Sequence, residues 1–159
     1  MILAWCAALF LATRFFAQWE QRQQNPNTQV YSQRGEGFIE VKLVGNQQGH
    51  FVASGQINGQ PVDFMLDTGA TDVAIPMELA ERLKLEKGFG VTLSTANGVS
   101  EGYRTRVDRL QLGDIVLRDV RALVAPGLGG TQVLLGMSAL NKLEFTQRDG
   151  TMLLRQTTN

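Results

Sequence analysis

Asp67, Thr68 and Gly69 are the residues best placed to do chemistry. The run Phe64-Met65-Leu66-Asp67-Thr68-Gly69-Ala70-Thr71 puts a carboxylate directly after an apolar strand and directly before a glycine turn. A charge at the end of a core strand is costly unless it is hydrogen-bonded or shares a proton with a second acid. Gly69 lets backbone N–H groups close on that carboxylate, and Ala70 keeps its surroundings small enough for a ligand backbone to approach. The simpler alternative is an ordinary β-turn, in which Asp and Gly are common.

The elements that must position this run read as short strands. Residues 38–44 alternate between Gly37 and Gly45. Residues 51–57 end at Asn58-Gly59, a hairpin signal, and 61–66 return. Val73 to Ile75 is a further short run, and Pro76 opens a helix over 77–85. Residues 91–95 and 99–107 flank Asn97-Gly98, with Tyr103, Thr105 and Val107 on one face and Arg104, Arg106 and Asp108 on the other. Gly113-Asp114 joins 109–112 to 115–118, and 120–124 follows. After the Gly127–Gly130 loop come the apolar run Val133-Leu134-Leu135, a short helix over 137–143 and a last, self-contained hairpin turned by Asp149-Gly150. This spacing predicts an all-β fold, a small closed β-barrel-like or sandwiched structure with one or two short helices.

Composition narrows the function. The 159 residues carry 15 basic and 15 acidic side chains, a balance that speaks against a dedicated nucleic-acid binder. One Cys excludes an intrachain disulfide, and one His excludes a metal site needing two, so no metal or other cofactor is expected. Residues 1–19 are apolar apart from Thr13, Arg14 and Gln18, and they read as an N-terminal membrane segment. A cleaved signal peptide fits less well, because no basic start precedes the apolar run and Phe15-Phe16 stands where small residues belong. The remaining alternatives are a buried amphipathic helix or a start inside a longer signal. Arg14, Arg22 and Arg34 vote weakly for a cytoplasmic downstream side. Cys6 reads as inert packing. Residues 20–35, rich in Gln and Asn, read as a polar linker, which leaves 36–159 as the domain.

Asp-Thr-Gly-Ala at 67–70, then the hairpin carrying Ala96, Asn97 and Gly98, then Leu134-Leu135-Gly136 entering a short helix is an ordered set. It resembles the retropepsin-like aspartic proteases, in particular bacterial single-domain members with an N-terminal membrane segment, over about residues 36–155. The resemblance implies an acid-protease fold and an aspartic endopeptidase. In such enzymes two aspartates, about 3 Å apart, share one proton and hold one water. This chain has one Asp-Thr-Gly, so the second carboxylate is expected from Asp67 of another copy, in a homodimer with Asp67 on the two-fold axis.

The resemblance further assigns roles. Thr68 bonds across to the partner's loop, and Gly69 donates its N–H to the carboxylate. Ala70 and Asp72 line the cleft and bind peptide backbone. Ala96, Asn97 and Gly98 form a mobile flap. Leu134, Leu135 and Gly136 support the loop from behind. The substrate is a peptide or protein, and the location implied is the bacterial inner membrane, on its periplasmic or its cytoplasmic face. Thr71 and Met137 depart from the retroviral pattern, which has an acidic residue and an Arg at these places, so the ion pair those two make is absent here.

Other chemistries fit poorly. Gly136-Met137-Ser138 begins like a nucleophile elbow but lacks its closing Gly, and His50 in a polar loop is the only possible base. Arg104, Arg106, Arg109, Arg118 and Arg121 read most simply as solvated strand faces, with contact to an anionic lipid or a peptide as the lesser reading. The alternative to an enzyme is a non-catalytic peptide-binding or dimerisation module on the same fold.

Overall fold

The computed structural model describes residues 2–95 and 98–158. In chain order the elements are α1 (Ile2–Gln24), β1 (Ser32–Gly35), β2 (Phe38–Val44), β3 (Phe51–Ile57), β4 (Gln60–Leu66), β5 (Val73–Pro76), α2 (Met77–Arg82), β6 (Gly90–Thr95), β7 (Gly98–Leu112), β8 (Ile115–Ala125), β9 (Gln132–Leu135), α3 (Met137–Leu140), β10 (Glu144–Arg148) and β11 (Thr151–Thr157). The fold is mostly β. One sheet runs β3-β4-β9-β5-β8-β7-β6, and an added β3–β7 pairing closes six of its strands into a ring with β6 outside. The other sheet runs β1-β2-β11-β10.

Local sequence explains the turns. Asn58 and Gly59 both hold positive φ, 49° and 80°, the geometry a tight hairpin turn demands and that Asn-Gly tolerates. Asp149 and Gly150 repeat it between β10 and β11. On β7, Tyr103, Thr105 and Val107 point inward opposite Val124, Ala122 and Val120 of β8. Past Asp108 and Asp119 the buried positions shift phase, so that Leu110 and Leu112 meet Leu117 and Ile115 inside. Asp119 has φ 51°, and β8 changes face there without ending. The pieces expected at 115–118 and 120–124 are therefore one strand. The core between the two sheets is filled by Leu43, Phe64, Ile75, Leu135, Leu140 and Leu154, all at 1% exposure or less.

Three features differ from the sequence reading. The last hairpin is not self-contained, because β11 pairs with β2 from Thr151↔Val44 to Thr157↔Phe38. The segment expected to be a solvated linker is docked. Residues 20–24 continue α1, Ser32–Gly35 pairs with β2, and Asn25 and Asn27 are buried at 3% and 6% exposure. Asn27 acts as a peptide mimic. Its side chain donates to the carbonyls of Val44 and Val52 and accepts the Val44 N–H, while its own carbonyl accepts the Ser54 N–H. Asn25 donates to Ser54 Oγ and to Asp63 Oδ1, reaching the strand that leads to Asp67. Composition showed only that these amides are polar; their partners are backbone groups of β2 and β3 for Asn27 and the Ser54 and Asp63 side chains for Asn25.

The third correction concerns residues 1–19. From Ile2 onward they are helical as part of α1, yet among the described residues no helix is long and apolar enough to cross a membrane. Thr13, Arg14 and Gln18 interrupt the apolar run, and the helix ends in a wholly polar stretch from Glu20 to Gln24. The helix is not buried in the domain either, since Phe10, Phe15 and Trp19 are exposed. Cys6 is exposed as well, not packed.

Candidate active site

β4 carries the chain out of the core and stops at Leu66, 8% exposed, so that Asp67 emerges at the edge of the apolar interior. The turn then folds on itself. The Gly69 N–H donates to Asp67 Oδ1 at 2.9 Å, and the Ala70 N–H donates to the Asp67 carbonyl at 3.2 Å. Asp67 is partly exposed, and its Oδ2 has no hydrogen-bond partner among the described residues. Thr68 and Gly69 are exposed beside it.

The loop is held from behind by β9 and α3. β4 and β9 run parallel with Leu66 beside Leu135, and the Asp67 N–H donates to the Leu135 carbonyl at 3.2 Å. Leu135 is 1% exposed. The first N–H groups of α3 reach back to the loop: Met137 donates to the Ala70 carbonyl at 2.8 Å and Ser138 to the Thr71 carbonyl at 2.9 Å. Gly136 sits against the same backbone. A Cβ there would lie 2.3 Å from the Asp72 carbonyl oxygen and 2.7 Å from that of Ala70, closer than real Cβ contacts come. Glycine at position 136 is thus a steric requirement of the loop.

Asp72 closes the loop electrostatically. Its side chain is 13% exposed and accepts Arg121 Nε at 2.6 Å and Arg104 Nη1 at 3.2 Å. Its carboxylate is thereby occupied by two strand arginines, which the sequence reading left as solvated faces. That reading also missed the role of Ser138. Its hydroxyl accepts the Val73 N–H at 2.9 Å and donates to the Arg121 carbonyl at 2.7 Å, joining β5, α3 and β8. Strand alternation could place Arg104 and Arg121 on an outer face, but no local signal in the sequence names the carboxylate they meet.

The structure therefore brings Asp67, Thr68, Gly69, Ala70, Asp72, Leu134, Leu135 and Gly136 into one assembly. Leu134 is part-buried on β9, opposite Ala74 of β5. Of the expected flap, Gly98 is exposed at the start of β7, while Ala96 and Asn97 lie outside the described residues.

Comparison with known proteins gives a consistent family. Residues 53–142, more than half of the chain, match the family model described as "gag-polyprotein putative aspartyl protease". An uncharacterized protein in the cobV 5' region of Sinorhizobium sp is 36% identical over 115 residues, 70% of this chain and 49% of its own length. An uncharacterized Rickettsia prowazekii (strain Madrid E) protein, RP867, is 29% identical over 119 residues, 72% of this chain and 50% of its own. The chain thus spans about half the length of the curated relatives it matches. The crystal structure of a retropepsin-like aspartic protease from Rickettsia conorii superposes with a TM-score of 0.65 at 26% identity, covering 82% of this chain and 97% of that one.

Proposed function

This chain belongs to the retropepsin-like aspartic proteases, and on that premise we propose that it hydrolyses peptide bonds as a homodimer in which two copies of Asp67 share one proton. The observation that carries the reading is the state of the Asp67 carboxylate. One oxygen is held by the Gly69 N–H while the other has no partner among the described residues, in a side chain that is only partly buried. A single carboxylate of this kind lacks the second acid the chemistry needs, and the chain holds no second Asp-Thr-Gly.

In the dimer the ionised carboxylate takes a proton from a water held between the two aspartates. The water oxygen bonds to the scissile carbonyl carbon while the protonated aspartate gives its proton to the carbonyl oxygen. The tetrahedral species then collapses, the C–N bond breaks, and the amine leaves with a proton from the dyad. In this reading Thr68, exposed next to the carboxylate, bonds to the partner's loop, and Ala70 leaves room for the peptide backbone.

The test is cleavage of an unstructured protein by the full chain and by Asp67→Asn, from about pH 3.5 to 7.5, over a range of protein concentration, with and without pepstatin. Cutting should vanish in the variant and in pepstatin, and it should rise more steeply than linearly with concentration. A folded, dimeric sample that cuts at no pH would overturn the reading in favour of a peptide-binding module.

A further inference from the structure

The arginines of the long β7–β8 hairpin are not spread evenly over a solvated face. Arg106 and Arg121 are direct cross-strand partners, an arrangement of like charges that costs stability unless other groups compensate. Compensation is incomplete. Asp72 is shared between Arg121 and Arg104, each binding through one nitrogen, and among the described residues Arg106 pairs only with Asp119, the two side chains being 63% and 72% exposed.

These guanidiniums line one side of a concave pocket of about 340 Å³ whose other wall is the segment 86–89, just before β6. That wall is preformed. The Gly88 N–H donates to the Arg104 carbonyl, the Arg104 N–H donates to the Phe89 carbonyl, and Thr105 Oγ1 donates to the Glu86 carbonyl at 2.6 Å. A Cβ on Gly88 would lie 2.6 Å from the Arg104 carbonyl oxygen, so only glycine lets the wall approach this closely. Phe89 presents its ring outward at 86% exposure, and the Lys87 ammonium sits 5.4 Å from the centre of the Tyr103 ring. Four cations, Lys87, Arg104, Arg106 and Arg121, line the pocket with one carboxylate, Glu86, around an exposed aromatic ring, while Asp72, Asp119 and the Glu81 carboxylate near Tyr103 lie outside its lining.

We infer that this pocket binds an extended peptide segment carrying an acidic side chain next to an apolar one, the carboxylate meeting the arginine edge and the apolar group covering Phe89. Charge complementarity selects the occupant: a carboxylate replaces water on guanidinium nitrogens that Asp72 and Asp119 leave unfilled. Asp72 belongs both to the Asp67 loop and to this arginine pair, so a peptide seated here continues toward the cleft. The site thereby deepens the peptidase reading, on which its catalytic consequence rests, to substrates with an acidic flank outside the scissile residues.

Binding can be measured apart from cleavage. Full-chain Asp67→Asn is titrated by fluorescence anisotropy with a labelled peptide containing Glu-Glu-Leu and with its Gln-Gln-Leu twin. The acidic peptide should bind about fivefold more tightly, with the difference shrinking as salt rises. Lys87→Glu combined with Arg106→Glu, both exposed and outside the Asp67 loop, should abolish the preference, and Phe89→Ala should weaken the acidic peptide alone. Equal binding of the two peptides, no binding of either, or a preference that survives charge reversal would overturn the inference. So would retention of phosphatidylglycerol vesicles without binding of the acidic peptide. Wild-type cleavage of both peptides at equal rates would sink this inference and leave the peptidase standing; an acidic preference in binding without any cleavage would do the reverse.

Discussion

Arg121 Nε donates to Asp72 Oδ1 at 2.6 Å, while Arg104 Nη1 takes the other oxygen at 3.2 Å. The end of the Asp67 loop is thus tied to β8 and β7 by one carboxylate. The ionic support of the loop draws its cations from the long β7–β8 hairpin.

Asp72→Asn should lower stability by about 1–2 kcal/mol. This is less than a buried charge pair would cost, because both arginines are about half exposed and solvent screens them. Urea midpoints check this. Double-mutant cycles should show stronger coupling of Asp72 to Arg121 than to Arg104, in line with the shorter contact. Equal coupling to both would contradict it.

Gly136→Ala should cost about 1–3 kcal/mol, because the new methyl group must displace the Asp72 and Ala70 carbonyls. The displaced loop carries Asp67, so any peptidase activity should fall further than the loss of folded protein explains. Thermal unfolding together with activity per folded molecule separates the two effects.

Asn27→Ala should cost about 3 kcal/mol, since it strips partners from the Val44 N–H and from the Val44 and Val52 carbonyls. A chain beginning at residue 36 should be less stable still, having lost β1 as well as Asn25 and Asn27. Chemical denaturation of the two variants beside the full chain tests this. A truncated chain as stable as the full one would show that the docked segment contributes nothing.

Burial, and secondarily the nearby Glu81 carboxylate, push the Tyr103 phenol above its ordinary value of 10.0. Above that pH the unfolded chain releases this proton before the folded one does, so stability that is complete below about pH 10 declines as pH rises. Tyr103→Phe should flatten that alkaline decline while leaving the neutral-pH midpoint little changed. Denaturation curves from about pH 8 to 11 measure it; an unchanged alkaline slope in the variant would refute it.

Much of the site was legible in the linear order of residues. Asp67 after an apolar strand, Gly69 in a turn and Gly136 after Leu134-Leu135 are local patterns, set by strand alternation and by the few residues that tight backbone geometry accepts. The hairpin turns at Asn58-Gly59 and Asp149-Gly150 were equally visible, because positive φ is a property of the residues themselves. What only the tertiary structure decided were the pairings between distant segments. Asn25 and Asn27 read as linker because their polarity is local, but the β2 and β3 backbone groups that Asn27 meets, and the Ser54 and Asp63 side chains that Asn25 meets, come together only when the sheets assemble. The β11–β2 pairing, the Ser138 bridge and the sharing of Asp72 by Arg104 and Arg121 arise in the same way. Polar side chains satisfy whichever partner the fold brings within about 3 Å, and a sequence specifies the donor and the acceptor without specifying that they meet.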